Sequence, residues 1–332
     1  MASAPRFLVL GSNSFSGATF CDFLAQTGHD VLATSRSEEA HVALLPYRWE
    51  RRAGAVRFRR IDINHDLEAL EELLRAERPT HVVNFAAQSM VAESWAHPEH
   101  WMTTNVVSTV RLIELLRRCN SLERYVHVTT PEAYGSTDGW VKESNRFNPS
   151  TPYAVSRAAG DMAFSAYFQN YGFPVLFTRA ANVYGPGQPL YRIVPRTILA
   201  ALSGQKLRLD GGGASTRVFI HMRDVSDATL RVALKGQLGE SYHISGYELV
   251  SIRALVETIL ARLGKSFDAC VELGPERPGK DTTYMLDSFK LRTELGWRDR
   301  ISLEEGINDT IAWAERFGPV LSELPLQYIH KA

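Results

Sequence analysis

From residue 6 to about residue 180, short apolar and β-branched runs alternate with longer stretches whose apolar positions recur at helical spacing. Apolar runs of a few residues bounded by turn signals mark strands, and recurrence every three and four residues marks amphipathic helices. The pattern predicts strands at Arg6–Leu10, Asp30–Thr34, Val56–Arg60, His81–Phe85, Arg124–Thr129 and Val175–Arg179. Helices fall between them, near 16–27, 67–76, 99–119 and 153–171, with Pro79 and Gly172-Phe173-Pro174 as stop signals. Such alternation predicts an α/β fold, a Rossmann-type doubly wound parallel sheet with crossover helices. Beyond residue 180 the alternation gives way to loop punctuation at Tyr184-Gly185-Pro186-Gly187, Asp210-Gly211-Gly212-Gly213 and Gly274-Pro275-Glu276-Arg277-Pro278-Gly279. The expected division is a dinucleotide-binding unit over 1–180 and a smaller mixed α/β substrate-binding region over 181–332, with the chain free to cross between them.

Composition narrows the function. The 332 residues carry 37 Lys+Arg against 37 Asp+Glu, so the cationic excess that neutralises nucleic-acid phosphates is missing and no nucleic-acid partner is expected. No apolar run approaches the roughly 18–20 residues that cross a bilayer, and Phe7-Leu8-Val9-Leu10 is too short for a signal-peptide core. The expectation is a cytoplasmic protein without a membrane partner. Cys21, Cys119 and Cys270 are too few and too scattered for a disulfide framework or a zinc set.

The first strand runs into Gly11-Ser12-Asn13-Ser14-Phe15-Ser16-Gly17 and then a helix. Glycine allows the sharp turn, and the helix N-terminus offers N–H groups to a pyrophosphate, so Gly11, Ser14, Phe15, Ser16 and Gly17 are candidate cofactor residues. Serine at 14 replaces the middle glycine of a G-x-x-G-x-x-G pattern, and its hydroxyl offers a hydrogen bond to phosphate. At the end of the second strand, Ser35 and Arg36 supply a hydroxyl and a cation before the first acid, Glu38. That chemistry suits a 2′-phosphate, so NADP is the first choice and NAD the second. Asp62 and Ile63 follow the third strand, where they can meet the adenine; the competing reading of Asp62 is a cap for the helix near Asp66.

Tyr153 and Arg157 stand four residues apart at the start of a helix and share one face. A fixed cation beside a phenol stabilises the phenolate, making Tyr153 a base for a sugar hydroxyl. Several further segments lie in order along the chain: Asn84-Phe85-Ala86-Ala87-Gln88-Ser89, Asn105 with Val106 and Thr109, Thr129-Thr130-Pro131-Glu132-Ala133-Tyr134-Gly135, Ala181-Asn182-Val183-Tyr184-Gly185-Pro186-Gly187, Arg217-Val218-Phe219-Ile220-His221, and Arg277-Pro278-Gly279-Lys280-Asp281. Together they resemble the extended short-chain dehydrogenase/reductase family, and within it the nucleotide-sugar 4,6-dehydratases, over nearly the whole chain. The resemblance places Phe85, Ala86, Ala87 and Asn105 on the cofactor with Tyr153 and Arg157. It places Gln88, Ser89, Thr130, Asn182, Arg217 and Arg277 on the nucleotide sugar, with Arg192, Val194 and Leu209 in the base pocket. Two departures stand out: arginine at 157 where the family has lysine, and Pro131 where the dTDP-glucose branch has an aspartate acid.

The resemblance implies three steps. Tyr153, aided by Thr130 and Arg157, takes the O4 proton as hydride leaves C4; Glu132 removes the C5 proton as water departs from C6; the hydride then returns to C6. Epimerase and decarboxylase chemistry on the same scaffold remain alternatives, as does a non-catalytic nucleotide-sugar-binding homologue. Family members commonly dimerise through two helices, which here are 99–119 and 153–171, so a homodimer is expected. His97 and His100 are three apart, but no third ligand has a recognisable spacing and no metal is expected.

Overall fold

The computed structural model describes residues 4–49, 55–137, 139–275 and 284–331. Strands β1 (Phe7–Leu10), β2 (Val31–Ser35), β3 (Val56–Arg60), β4 (His81–Asn84) and β5 (Arg124–Thr129) match the predicted ones to within a residue. After the two-residue β6 (Trp140–Val141), β7 (Val175–Ala180) is the sixth of them. Further on lie β8 (Asn182–Tyr184), β9 (Leu207–Asp210), β10 (Thr216–His221) and β11 (Ser241–Ile244). The main sheet has seven strands in the order β11-β7-β5-β4-β1-β2-β3, every neighbouring pair parallel. The order reverses direction between β1 and β4, and a doubly wound sheet binds its ligand outside the strand ends at such a point. Residues 241–244 come from beyond 180, so the chain crosses back to complete the sheet.

The helices that bear on the site are α1 (Phe15–Gln26), α2 (Leu67–Glu77), α3 (Pro98–Met102), α4 (Ser108–Leu116), α5 (Pro152–Tyr171), α6 (Ile193–Ser203) and α7 (Met222–Lys235). Alternate strand residues feed opposite layers: Phe7 and Val9 pack with Phe20, Leu24 and Val225 from α1 and α7. Leu8 and Leu10 pack with Leu70, Leu112 and Phe164 from α2, α4 and α5. A strand covered on both faces has no polar side, which is why β1 reads as an unbroken apolar run. The helix expected over 99–119 is broken instead. Thr103–Val107 is a π-helical turn between α3 and α4, and it carries Asn105, 2% exposed, against the loop after β4.

Helix α5 is delimited by its ends. The Thr151 hydroxyl accepts from the Ala154 amide, Pro152 occupies the first turn where no N–H is needed, and Gly172 closes the helix at φ 65°. Small sheets, β10 with β8 and Leu249–Ser251, and β9 with Val271–Gly274, flank the cleft from the second half of the chain. Among the described residues no helix is long and apolar enough to cross a membrane.

Phe164 locks α5 to the sheet: it is fully buried, with its ring 4.8 Å from Tyr125 and 5.7 Å from Phe173. Phe164→Ala is expected to cost about 3–5 kcal/mol, read as a lowered urea midpoint at unchanged slope.

Candidate active site

The turn after β1 is shaped by close approach. Gly11 has φ +81°, and a Cβ there would stand 2.5 Å from the Ala86 amide nitrogen; one at Gly17 would stand 2.3 Å from the Gly11 carbonyl oxygen. Ser14 caps α1: its hydroxyl donates to the Gly11 carbonyl at 2.7 Å and accepts from the Gly17 amide at 3.1 Å. The hydroxyl expected to meet phosphate is therefore committed to the turn itself. Phe15 and Ser16 contribute first-turn amides, which a helix cannot satisfy internally. The Asn13 amide donates to the Ser37 and Glu38 carbonyls, pinning the loop after β2, with Ser35 and Arg36, beside the turn. A cradle this close, with a helix N-terminus at its centre, fits a dinucleotide pyrophosphate.

The other expected cofactor residues also make contacts within the protein. Phe85 is 9% exposed and packs its ring 5.5 Å from Phe20, so its side chain belongs to the core while its backbone, with Ala86 and Ala87, borders the cleft. Asn105 accepts from the Gln88 amide, and its own amide donates to the Gln88 carbonyl and the Ser156 hydroxyl, each at 2.9 Å. It clamps the cleft wall to α5. Asp62 accepts from the Asn64 amide at 2.8 Å in a local turn, while the N-cap position of α2 is held by Asp66; Ile63 is buried beside it.

Tyr153 and Arg157 do share a buried face of α5, at 8% and 3% exposure. Burial, then the Glu132 carboxylate, push the Tyr153 phenol up, while Arg157, a hydrogen bond with Thr130, and Arg192 pull it down; the net direction is upward. In the protein alone the guanidinium does not lower the phenol below its ordinary value, because desolvation of the phenolate outweighs it. Arg157 also donates from Nη2 to the Val128 carbonyl at the end of β5. Thr130, Glu132 and Tyr153 meet where that strand ends. Pro131 opens a 3₁₀ turn, Pro131–Tyr134, whose N-cap is Thr130, the hydroxyl accepting from the Glu132 amide at 3.2 Å. Proline suits that first position, and the turn sets Glu132 over the tyrosine.

Beneath these residues lies a buried polar network that sequence reasoning missed. Arg179 Nη1 donates to Asp161 Oδ2 at 2.8 Å, and Thr129 donates to the same oxygen at 3.1 Å. Arg179 Nε donates to the Tyr134 hydroxyl at 3.0 Å, and His243 Nε2 stands 2.9 Å from that hydroxyl. A charged residue within the apolar strand Val175–Ala180 was the available signal.

On the sugar side, Asn182 on β8 and Arg217 on β10 lie near each other on paired strands, with Asn182 donating to the Val218 carbonyl at 3.2 Å. Arg192 reaches the Met90 sulfur at 3.7 Å and lies close enough to Tyr153 to act on it. Ser89 is exposed, and the Gln88 carboxamide donates to the Lys331 carbonyl at 2.6 Å. Val194 and Leu209, 1% and 4% exposed, bury their side chains in the core clusters of the second half of the chain. Arg277 lies outside the described residues.

A parallel doubly wound sheet, a glycine turn at its first strand end and a Tyr-x-x-x-Arg helix facing a Thr-x-Glu turn define an extended short-chain dehydrogenase/reductase. A family model described as GDP-mannose 4,6 dehydratase matches residues 8–310, and the chain belongs to that family. It is 34% identical over 259 residues to a dTDP-glucose 4,6-dehydratase of Xanthomonas campestris, covering 73% of this chain and 74% of that one. It is 32% identical over 256 residues to a trifunctional enzyme of Arabidopsis thaliana whose first named activity is UDP-glucose 4,6-dehydratase; 76% of this chain is covered but 38% of the plant protein. The solved structure of a dTDP-glucose 4,6-dehydratase from Streptomyces venezuelae with NAD bound aligns at TM-score 0.86 and 33% identity, over 94% of this chain and 98% of that one. The motif resemblance to nucleotide-sugar 4,6-dehydratases is borne out.

Removing one partner of a buried ion pair leaves the other charge uncompensated. Asp161→Ala is expected to lose about 3–5 kcal/mol of unfolding free energy, measured by denaturant titration; a loss below about 1 kcal/mol would show that the network does not hold α5.

Proposed function

We propose that the protein is a nucleotide-sugar 4,6-dehydratase that converts a nucleoside-diphosphate hexose to its 4-keto-6-deoxy product. The observation that carries the reading is the convergence of Tyr153, Thr130 and Glu132 at one strand end, with Arg157 behind the phenol. Residues 1–180, with β11 returned to the sheet, would hold the dinucleotide, and the strands carrying Asn182 and Arg217 would hold the diphosphate.

Tyr153 takes the O4 proton, with Thr130 orienting the oxygen and Arg157 offsetting the negative charge that burial disfavours. Glu132, half-buried one turn from Thr130, removes the C5 proton once C4 is a ketone. With no side-chain acid at Pro131, the same carboxyl returns that proton to the departing C6 hydroxyl. A bound nicotinamide supplies the hydride acceptor and donor that link C4 to C6.

The NAD in the Streptomyces structure supports NAD as the resident cofactor. We propose NAD. Loss of carbon dioxide would mark a decarboxylase, unchanged mass with altered stereochemistry an epimerase, and no product a binding protein.

Incubation with a panel of nucleoside-diphosphate hexoses should give a product lighter by one water in mass spectrometry. Tyr153→Phe should lower kcat by roughly 10²–10⁴, and Glu132→Gln should abolish C5 proton exchange in deuterated water; retained exchange removes Glu132 from the elimination. Cofactor released on denaturation should have the mass of NAD.

We also propose a homodimer formed through α4 and α5. Val155 and Met162 on α5 stay 41% and 61% exposed and, seven residues apart, share a helical face, and Val107, in the turn leading into α4, is 45% exposed. Light scattering should give twice the chain mass, and Met162→Glu should shift it to the monomer.

A further inference from the structure

His97 precedes α3 and His100 lies within it, so the two imidazoles sit on one side of the turn. Between them stands a carboxylate: Glu99 Oε1 is 3.6 Å from His97 Nδ1 and 3.7 Å from His100 Nε2. The three possible ligand atoms lie within 4.8 Å of one another. A third imidazole arrives from the far end of the chain. His330 Nε2 is 2.8 Å from His100 Nδ1, and its other ring nitrogen is 3.2 Å from the Tyr328 hydroxyl. The His330 ring is nearly parallel to those of His97, His100 and Trp101, at 6°, 15° and 9°.

We propose that His97 Nδ1, a Glu99 oxygen and His100 Nε2 form a binding site for a divalent transition metal of the zinc type, with His330 as the outer partner of His100, so that metal binding ties the C-terminal segment to α3. Two imidazoles and a carboxylate are a recurring zinc donor set that leaves room for water. Metal bonds of about 2.0–2.2 Å would bring the donor atoms to roughly 3–3.5 Å from one another. The two Glu99–histidine spacings need to close by a few tenths of an ångström, and the two imidazole nitrogens, which lie within 4.8 Å of each other, by up to about 1–2 Å through side-chain rotation. His97 and Glu99, 56% and 64% exposed, have the freedom to do so.

The hydrogen bonds around His100 accommodate both states. Without metal, the Tyr328 hydroxyl donates to His330 Nδ1, His330 Nε2–H donates to His100 Nδ1, and His100 Nε2–H faces Glu99. With metal on Nε2, the His100 proton moves to Nδ1 and donates to His330 Nε2, the outer contact that fixes the tautomer of a metal-bound histidine. The chain of groups keeps the same number of protons; their positions change.

The segment so held borders the cleft, since Lys331 accepts from Gln88 and the Tyr328 ring packs 5.8 Å from Tyr191. The proposal does not depend on the dehydratase reading, and its test does not use turnover. The full chain, stripped of metal, is titrated with Zn²⁺ by calorimetry, and hydrogen exchange of residues 325–331 is followed with and without the ion. Expected are one ion per chain, at least about a tenfold loss of affinity in His97→Ala/His100→Ala, and about a 10- to 100-fold loss in His330→Ala. Zn²⁺ should slow exchange in the segment of the unaltered protein and leave it unchanged in His100→Ala. Absent binding, binding indifferent to the double substitution, or His330→Ala without effect on affinity would overturn the proposal; circular dichroism of each variant separates these results from misfolding.

Discussion

The buried pair Asp161–Arg179 is the constraint on which the active site depends. Asp161 lies on α5, two turns beyond Tyr153 and one beyond Arg157, and Arg179 lies on β7. Both side chains are 1% exposed, and Thr129 at the end of β5 binds the same carboxylate oxygen. A helix packed on a sheet by apolar contacts alone can slide or rotate at little cost, since dispersion has no direction. A buried ion pair with a shared hydrogen bond has one acceptable geometry, and its value here is positional rather than energetic. It fixes the height of α5 on the sheet, and with it the distance from Tyr153 to the Thr130–Glu132 turn. Tyr134 extends the network to His243, so the strand added from the second half of the chain is registered to the same point.

The two departures from the family pattern, and the serine in the glycine turn, each have a place in this structure. Arginine at 157 is a planar fork; one arm is anchored on the Val128 carbonyl while the charge still acts on Tyr153. Pro131 removes an acid but starts the 3₁₀ turn that presents Glu132. Ser14 takes the place of a glycine without obstructing the phosphate turn, because its hydroxyl folds back onto Gly11 and caps α1.

The limits of sequence reading follow from range. The central strands, the phosphate turn, the capped start of α5 and the Tyr153–Arg157 pair are local patterns, set by side-chain period, backbone freedom and spacing within one helix turn. Contacts between residues far apart leave no such period. The burial of the Val194 and Leu209 side chains is an example, because which face of an element turns inward depends on what packs against it. Asn105 holds Gln88 and Ser156, contacts 17 and 51 residues away in the chain.

The amino-acid sequence by itself determined the doubly wound sheet, the cofactor turn and the catalytic segment, because each rests on residues within a few positions of one another. Tertiary structure alone decided the Asp161–Arg179 lock, the burial that raises the Tyr153 phenol, and the meeting of His330 with His100 across 230 residues. Those depend on desolvation and on directional bonds between distant elements, and neither exists until the chain has closed around them.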